Sequence, residues 1–106
     1  MKELNMTNLK ASQEAAAQAT QKYINEVGEH PFNCGFAWVV VKGVRGNKAK
    51  LLREFGFDSH YAGGLSLWNP SNNYTQDMSA KAAGATVFAA ALREMGINAT
   101  ADSRLD

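Results

Sequence analysis

The stretch from Phe36 to Val44 limits the possible folds more than any other part of the chain. It is built from aromatic and β-branched residues, which suit a pleated and partly buried strand. Its two alternating sets are both largely apolar: Phe36, Trp38 and Val40 on one side, Ala37, Val39 and Val41 on the other. A strand of that kind is central in its sheet or covered on both faces. The rest of the chain has to supply its partners and its cover.

The exit from this strand changes character. Gly43 and Gly46 bracket Val44-Arg45, and Asn47 is placed to cap a short helix, Lys48 to Phe55, with Leu51, Leu52 and Phe55 inward. Gly56 ends it. On the entry side, Asn8 to Val27 carries Leu9, Ala16, Thr20, Tyr23, Ile24 and Val27 on one helical stripe, and Gly28 and Pro31 stop it. Residues 1–8 are expected to be a frayed lead-in. Phe57 to Ala62 reads as a loop, Gly63 to Trp68 as a short second strand, and Asn69 to Asn73 as a loop.

The longest periodic run, Tyr74 to Met95, follows, with Asn73 and Gln76 in capping-box spacing. Ala80, Gly84, Val87, Phe88, Ala91, Leu92 and Met95 form its inward stripe, and Gly84 among alanines implies close backbone approach to a neighbour. Ile97 to Ala101 is a possible third strand before the tail Asp102 to Asp106. The order helix, strand, helix, strand, helix, strand predicts an α+β (α/β-like) domain over residues 1–106. Its expected form is a small three-stranded sheet with about three helices packed mainly on one face.

Composition narrows the function classes. Eleven basic and ten acidic side chains leave the 106-residue chain near neutral, which argues against bulk attraction to nucleic acid or an anionic surface. A single cysteine, Cys34, rules out an internal disulfide and fits a reducing compartment. There is no apolar run of spanning length and no apolar signal-peptide core, so a cytoplasmic, membrane-free protein is expected.

The sharpest chemical pattern is the basic turn. Lys42, Arg45, Lys48, Lys50 and Arg53 gather around two glycines and a helix start. Backbone N–H groups at Gly46 and Asn47, with Arg45 and Lys48, would suit phosphate or carboxylate. The spacing is not that of a Walker A loop. A solvated basic helix face is the competing reading. A second cluster is Leu67-Trp68-Asn69-Pro70, where Trp68, with Trp38, could stack a base and Asn69 could read its edge. Core closure by Trp68 and a turn at Asn69 is the plain alternative. Lys81, among small residues, could close such a pocket or be solvated. His30 with Cys34, and Asp58 with His60, do not match a zinc signature, and no paired carboxylates or nucleophile motif appear. No metal, cofactor or catalytic set is expected.

Taken together, Cys34-Gly35-Phe36-Ala37-Trp38-Val39, Arg45-Gly46-Asn47, Leu67-Trp68-Asn69-Pro70-Ser71, Lys81-Ala82-Ala83-Gly84-Ala85 and Ser103-Arg104-Leu105-Asp106 resemble a set of small, functionally unassigned proteins encoded by tailed bacteriophages. The resemblance covers about residues 20–106. It implies a protein made in the cytoplasm of an infected bacterium. Small proteins in that setting often bind a host component or sequester a nucleotide.

The leading expectation is therefore a binding protein for a phosphate-bearing small molecule, a nucleotide. Trp38, Arg45, Gly46, Asn47, Lys48, Trp68, Asn69, Lys81 and Arg104 are its candidate ligand-binding residues. The alternative is a module docking on a host protein, with nucleic-acid binding behind it. Two Ala-rich helices also suggest a homo-oligomer, a homodimer first.

Overall fold

The computed structural model describes residues 2–106. Three helices and four strands follow one another as α1 (Met6–Val27), β1 (Gly35–Lys42), α2 (Gly46–Phe55), β2 (Asp58–Ser59), β3 (Leu65–Trp68), α3 (Met78–Glu94) and β4 (Asn98–Leu105). The strands form one antiparallel sheet in the order β2-β3-β1-β4. From β1 onward this is the β-α-β-β-α-β arrangement known as a split βαβ, with α1 added in front. The α+β class holds, and the expected three-stranded sheet is corrected to four. The additional strand, β2, is two residues long and too short to carry a period.

β1 is central, as its apolar run required. Ala37, Val39 and Val41 turn toward the helices and join Phe88, Ala85, Ala89 and Leu92 of α3, Leu52 of α2, and Phe57, Leu65, Ile97 and Ala99 in one core. Phe55, Phe57 and Phe88 meet with ring centroids 6.0–6.5 Å apart. The opposite side of β1 has no helix over it. Helical cover on one side only leaves that second face of the sheet open.

Several boundaries differ from the sequence expectation, each for a local reason. α1 begins at Met6 because Asn5 caps it, its side chain accepting from the Asn8 N–H at 2.7 Å. Residues 6–8 are therefore helical. Arg45, with no capping side-chain bond, precedes α2, and Asn47 lies inside the helix. α3 starts at Met78. Asn73 instead accepts locally from the Thr75 N–H, while Asp77 accepts from the Ser79 and Ala80 N–H groups. A carboxylate that satisfies two first-turn donors outcompetes a capping box made of amides. β4 runs on through Leu105, so the supposed tail is half of a strand paired with β1 from Gly35 to Lys42.

Asp77 also fixes where β1 begins. It is 1% exposed and accepts from the His30 N–H at 2.8 Å and from the Asn33 side-chain amide at 2.9 Å. Burial opposes its charge, but these donors, with the Ser79 and Ala80 N–H groups, hold its carboxyl below the ordinary value. Against α3, α1 packs through Ala16 and Thr20, whose hydroxyl donates to the Ala80 carbonyl at 2.7 Å. The small-residue stripes of α1 and α3 thus meet within one chain.

Candidate functional site

Strand alternation builds the open face. Phe36, Trp38, Val40 and Lys42 point away from the helices. Their directly paired neighbours share that side: Trp68 and Ser66 on β3, and Arg104, Asp102, Thr100 and Asn98 on β4. Asp58 joins them through its pairing with Ser66.

Hydrogen-bond phase then decides how close the tryptophans come. The Ala37 carbonyl accepts from the Asn69 N–H, so odd-numbered residues of β1 bond toward β3. Trp38 and Trp68 are opposite each other and therefore form a non-hydrogen-bonded pair, the closer kind. Their rings stack at 4.7 Å between centroids and 26° between planes. Phe36 meets the Trp68 ring edge-on at 5.8 Å and 75°. Such aromatic contacts contribute about 0.5–1.5 kcal/mol each beyond burial.

Burial divides the pair unequally. Trp38 is 6% exposed and Trp68 is 49% exposed. Among the described residues the buried indole N–H of Trp38 has no hydrogen-bond partner. An unpaired buried donor costs about 1–3 kcal/mol. Trp38 and Trp68 line a cleft of about 400 Å³ with Tyr61, Asp102, Ser103 and Arg104. Tyr61 reaches it from the β2–β3 hairpin and is 92% exposed. The volume falls within the ordinary range for small-molecule pockets, about 300–1,000 Å³.

The other candidates fall elsewhere. Arg45 and Lys48 line a separate cleft of about 450 Å³ with Lys42, Gly43, Val44, Gly96, Ile97 and Asn98, at the far end of β1. The sole ion pair among the described residues joins Lys2 and Glu94, so these three cations have no carboxylate partner there. Asn47 faces a third hollow, with Leu4, Leu51 and Met95. Gly46 opens α2 at φ 62°, a left-handed conformation that favours glycine. The basic turn and the tryptophans do not share one cavity.

Asn69 serves its own loop. It sits at φ 49°, its amide donates to the Asn73 carbonyl and its oxygen accepts from the Ser71 hydroxyl. Lys81 donates to the Gly35 carbonyl at 3.0 Å and lies 5.6 Å from the centre of the Phe36 ring, fixing the start of β1. Of the expected site residues, Arg45 and Lys48 come together in one cleft and Trp38, Trp68 and Arg104 in another. Phe36, Tyr61 and Asp102 belong to the same face and were not among them. Alternation along β1 placed Phe36 with Trp38, whereas nothing local placed Tyr61.

His30 and Cys34 border a further hollow with Glu29, Pro31, Gln76 and Asp77. Among the described residues no three His, Cys, Asp or Glu side chains gather as metal ligands would, and no helix is long and apolar enough to cross a membrane. No family model matches the chain, and no match is found among curated proteins or solved structures.

Proposed function

We propose that the protein binds a phosphate-bearing small molecule, a nucleotide, on the open face of its sheet. The base stacks on the exposed part of Trp68, which Trp38 backs, and Arg104 takes the phosphate. The observation that carries this reading is the stacked tryptophan pair, half exposed on one side, in a cleft that also holds an arginine. Stacking is tolerant of base identity, since every base presents a π-face. A guanidinium supplies a charge-assisted contact to phosphate.

The energies set the scale. One stack is worth about 1–3 kcal/mol and one charged hydrogen bond about 1.5–3 kcal/mol. Their sum corresponds to a dissociation constant in the range of about 0.04–15 mM for a single nucleotide. In an infected bacterium, the setting that the motif resemblance implies, the protein would act by holding its ligand rather than transforming it.

Titration of nucleoside monophosphates against tryptophan fluorescence tests this reading. Quenching that saturates in the millimolar range is expected, and it should vanish in Trp68→Ala and weaken about ten-fold in Arg104→Ala. No quenching by any nucleotide, or full binding by Trp68→Ala, would reject the proposal.

A further inference from the structure

The aromatic cleft and the basic cleft are separate, but each takes a lining residue from the open face, Trp38 in one and Lys42 in the other. Lys42 is on the same face as Trp38, four positions farther along β1, which is about 13 Å at 3.3 Å per residue. Arg104 pairs with Phe36 at the opposite end of the strand, and Asn98 pairs with Lys42. The open face therefore has a cation at each end of β1, about 20 Å apart by strand rise. Arg45 and Lys48 enlarge the positive end at Lys42. Phe36, Trp38 and Trp68 cluster toward the Arg104 end, with Asp102 beside Trp38, and Val40, Ser66 and Thr100, with Asp58 beside Ser66, lie between them and Lys42.

That order of charge and ring excludes some occupants. The carboxylates of Asp102 and Asp58 would repel phosphate between the two cationic ends, while the rings near Arg104 favour bases. Phosphate is welcome at the two ends. A single nucleotide is too short to use both. A duplex keeps its bases stacked inside and could not lay them on tryptophan. Resting on the nucleotide reading above, we infer that the natural ligand is a short single-stranded oligonucleotide lying along β1. Its bases contact Phe36, Trp68 and Tyr61, and its phosphates contact Arg104 at one end and Lys42, Arg45 and Lys48 at the other. Stacking platforms joined to positive grooves are the general means of holding single strands. The near-neutral chain limits the electrostatic share: about three phosphate contacts predict a slope near −2 for log affinity against log salt.

A length series of oligothymidylates, read by tryptophan fluorescence, tests the inference. Thymidine monophosphate should bind weakly, and a tetranucleotide about ten-fold or more tighter, the gain expected from one added charge-assisted contact. The double variant Lys42→Ala/Arg45→Ala should bring the tetranucleotide down to the mononucleotide affinity while leaving the mononucleotide unchanged. Both positions are exposed, so the variant keeps its fold. Equal affinity for mono- and tetranucleotide, equal loss for both in the double variant, or equally tight binding of a duplex would overturn the inference. If the mononucleotide binds and Trp68→Ala abolishes it, but length brings no gain, the longer ligand is rejected and the nucleotide site stands. If nothing binds at any length, both fall.

Discussion

Asp77 shows how much one buried side chain can organise. Its carboxylate starts α3 through the Ser79 and Ala80 N–H groups and holds the segment before β1 through His30 and Asn33. Two backbone hydrogen bonds reinforce the joint, from the Met78 N–H to the Asn33 carbonyl and from the Gly35 N–H to the Gln76 carbonyl. The start of β1, and with it the placement of Phe36 and Trp38, depends on that charge. Because the native carboxyl is held below its ordinary value of 3.8, its contribution is fully present above that value. It is lost as the pH falls through the lowered native value. Asp77→Asn is expected to cost about 2 kcal/mol at neutral pH, since an amide presents a donor where only acceptors fit. Urea denaturation of both proteins at neutral pH and at a pH well below 3.8 should show the gap narrowing in acid. A gap of the same size at both pH values would show that the charge itself plays no part.

At the level of elements, the contact between α1 and α3 is set by the absence of a side chain. A Cβ on Gly84 would lie 2.5 Å from the Thr20 hydroxyl oxygen, 2.7 Å from the Ser71 Cβ and 2.9 Å from the Ala16 carbonyl oxygen. Alanine would gain about 1 kcal/mol in helix propensity. Overpacking against a backbone carbonyl and a buried loop costs about 1–3 kcal/mol or more. The clash should win, and Gly84→Ala is expected to lose about 1–2 kcal/mol, read as a lower urea midpoint at unchanged slope. A variant as stable as the parent would mean that α1 can slide away without penalty. Gly84 was legible in the sequence because a glycine among alanines on a helical stripe has few other uses. The long helices were legible because their periods are long and local, and β1 because its run of aromatic and β-branched residues is local too. β4 was only half legible, because Asp102, Ser103 and Arg104 have little strand propensity of their own and pairing with β1 decides their state. The site was legible in its residues but not in its grouping. Trp38 and Trp68 face each other through a register that no local pattern records. Arg45 and Lys48 are carried beyond the end of β1, and Tyr61 is delivered by a hairpin whose strand β2 is two residues long.

The whole molecule is a sheet with one covered face and two unlike edges. β2 offers almost no edge, whereas β4 is eight residues long. Long unpaired edges invite strand addition from other chains. The Asp106 N–H bonds to the Cys34 carbonyl, so even-numbered residues of β4 bond inward and odd-numbered ones present their N–H and C=O groups at the edge. Two of those edge groups are already occupied. Arg93 of α3 donates to the Ala99 carbonyl at 3.0 Å, and the Asp102 side chain accepts from the Ser103 N–H at 2.8 Å. An incoming strand would have to displace both, and it would bring its own backbone groups toward a guanidinium and a carboxylate. The Ala-rich helical surfaces that suggested a homo-oligomer pack on each other within the chain, which leaves this edge as the longest stretch of unpaired backbone in the sheet. Removing its guards should therefore expose a latent route to assembly. The double variant Arg93→Ala/Asp102→Ala is expected to gain mass with rising concentration in light scattering, beyond any shown by the parent protein. Each single variant should show less, because either remaining group still obstructs part of the edge. If parent and double variant scatter alike across the concentration range, the two side chains do not protect the edge, and the twist of the strand alone must keep neighbours away.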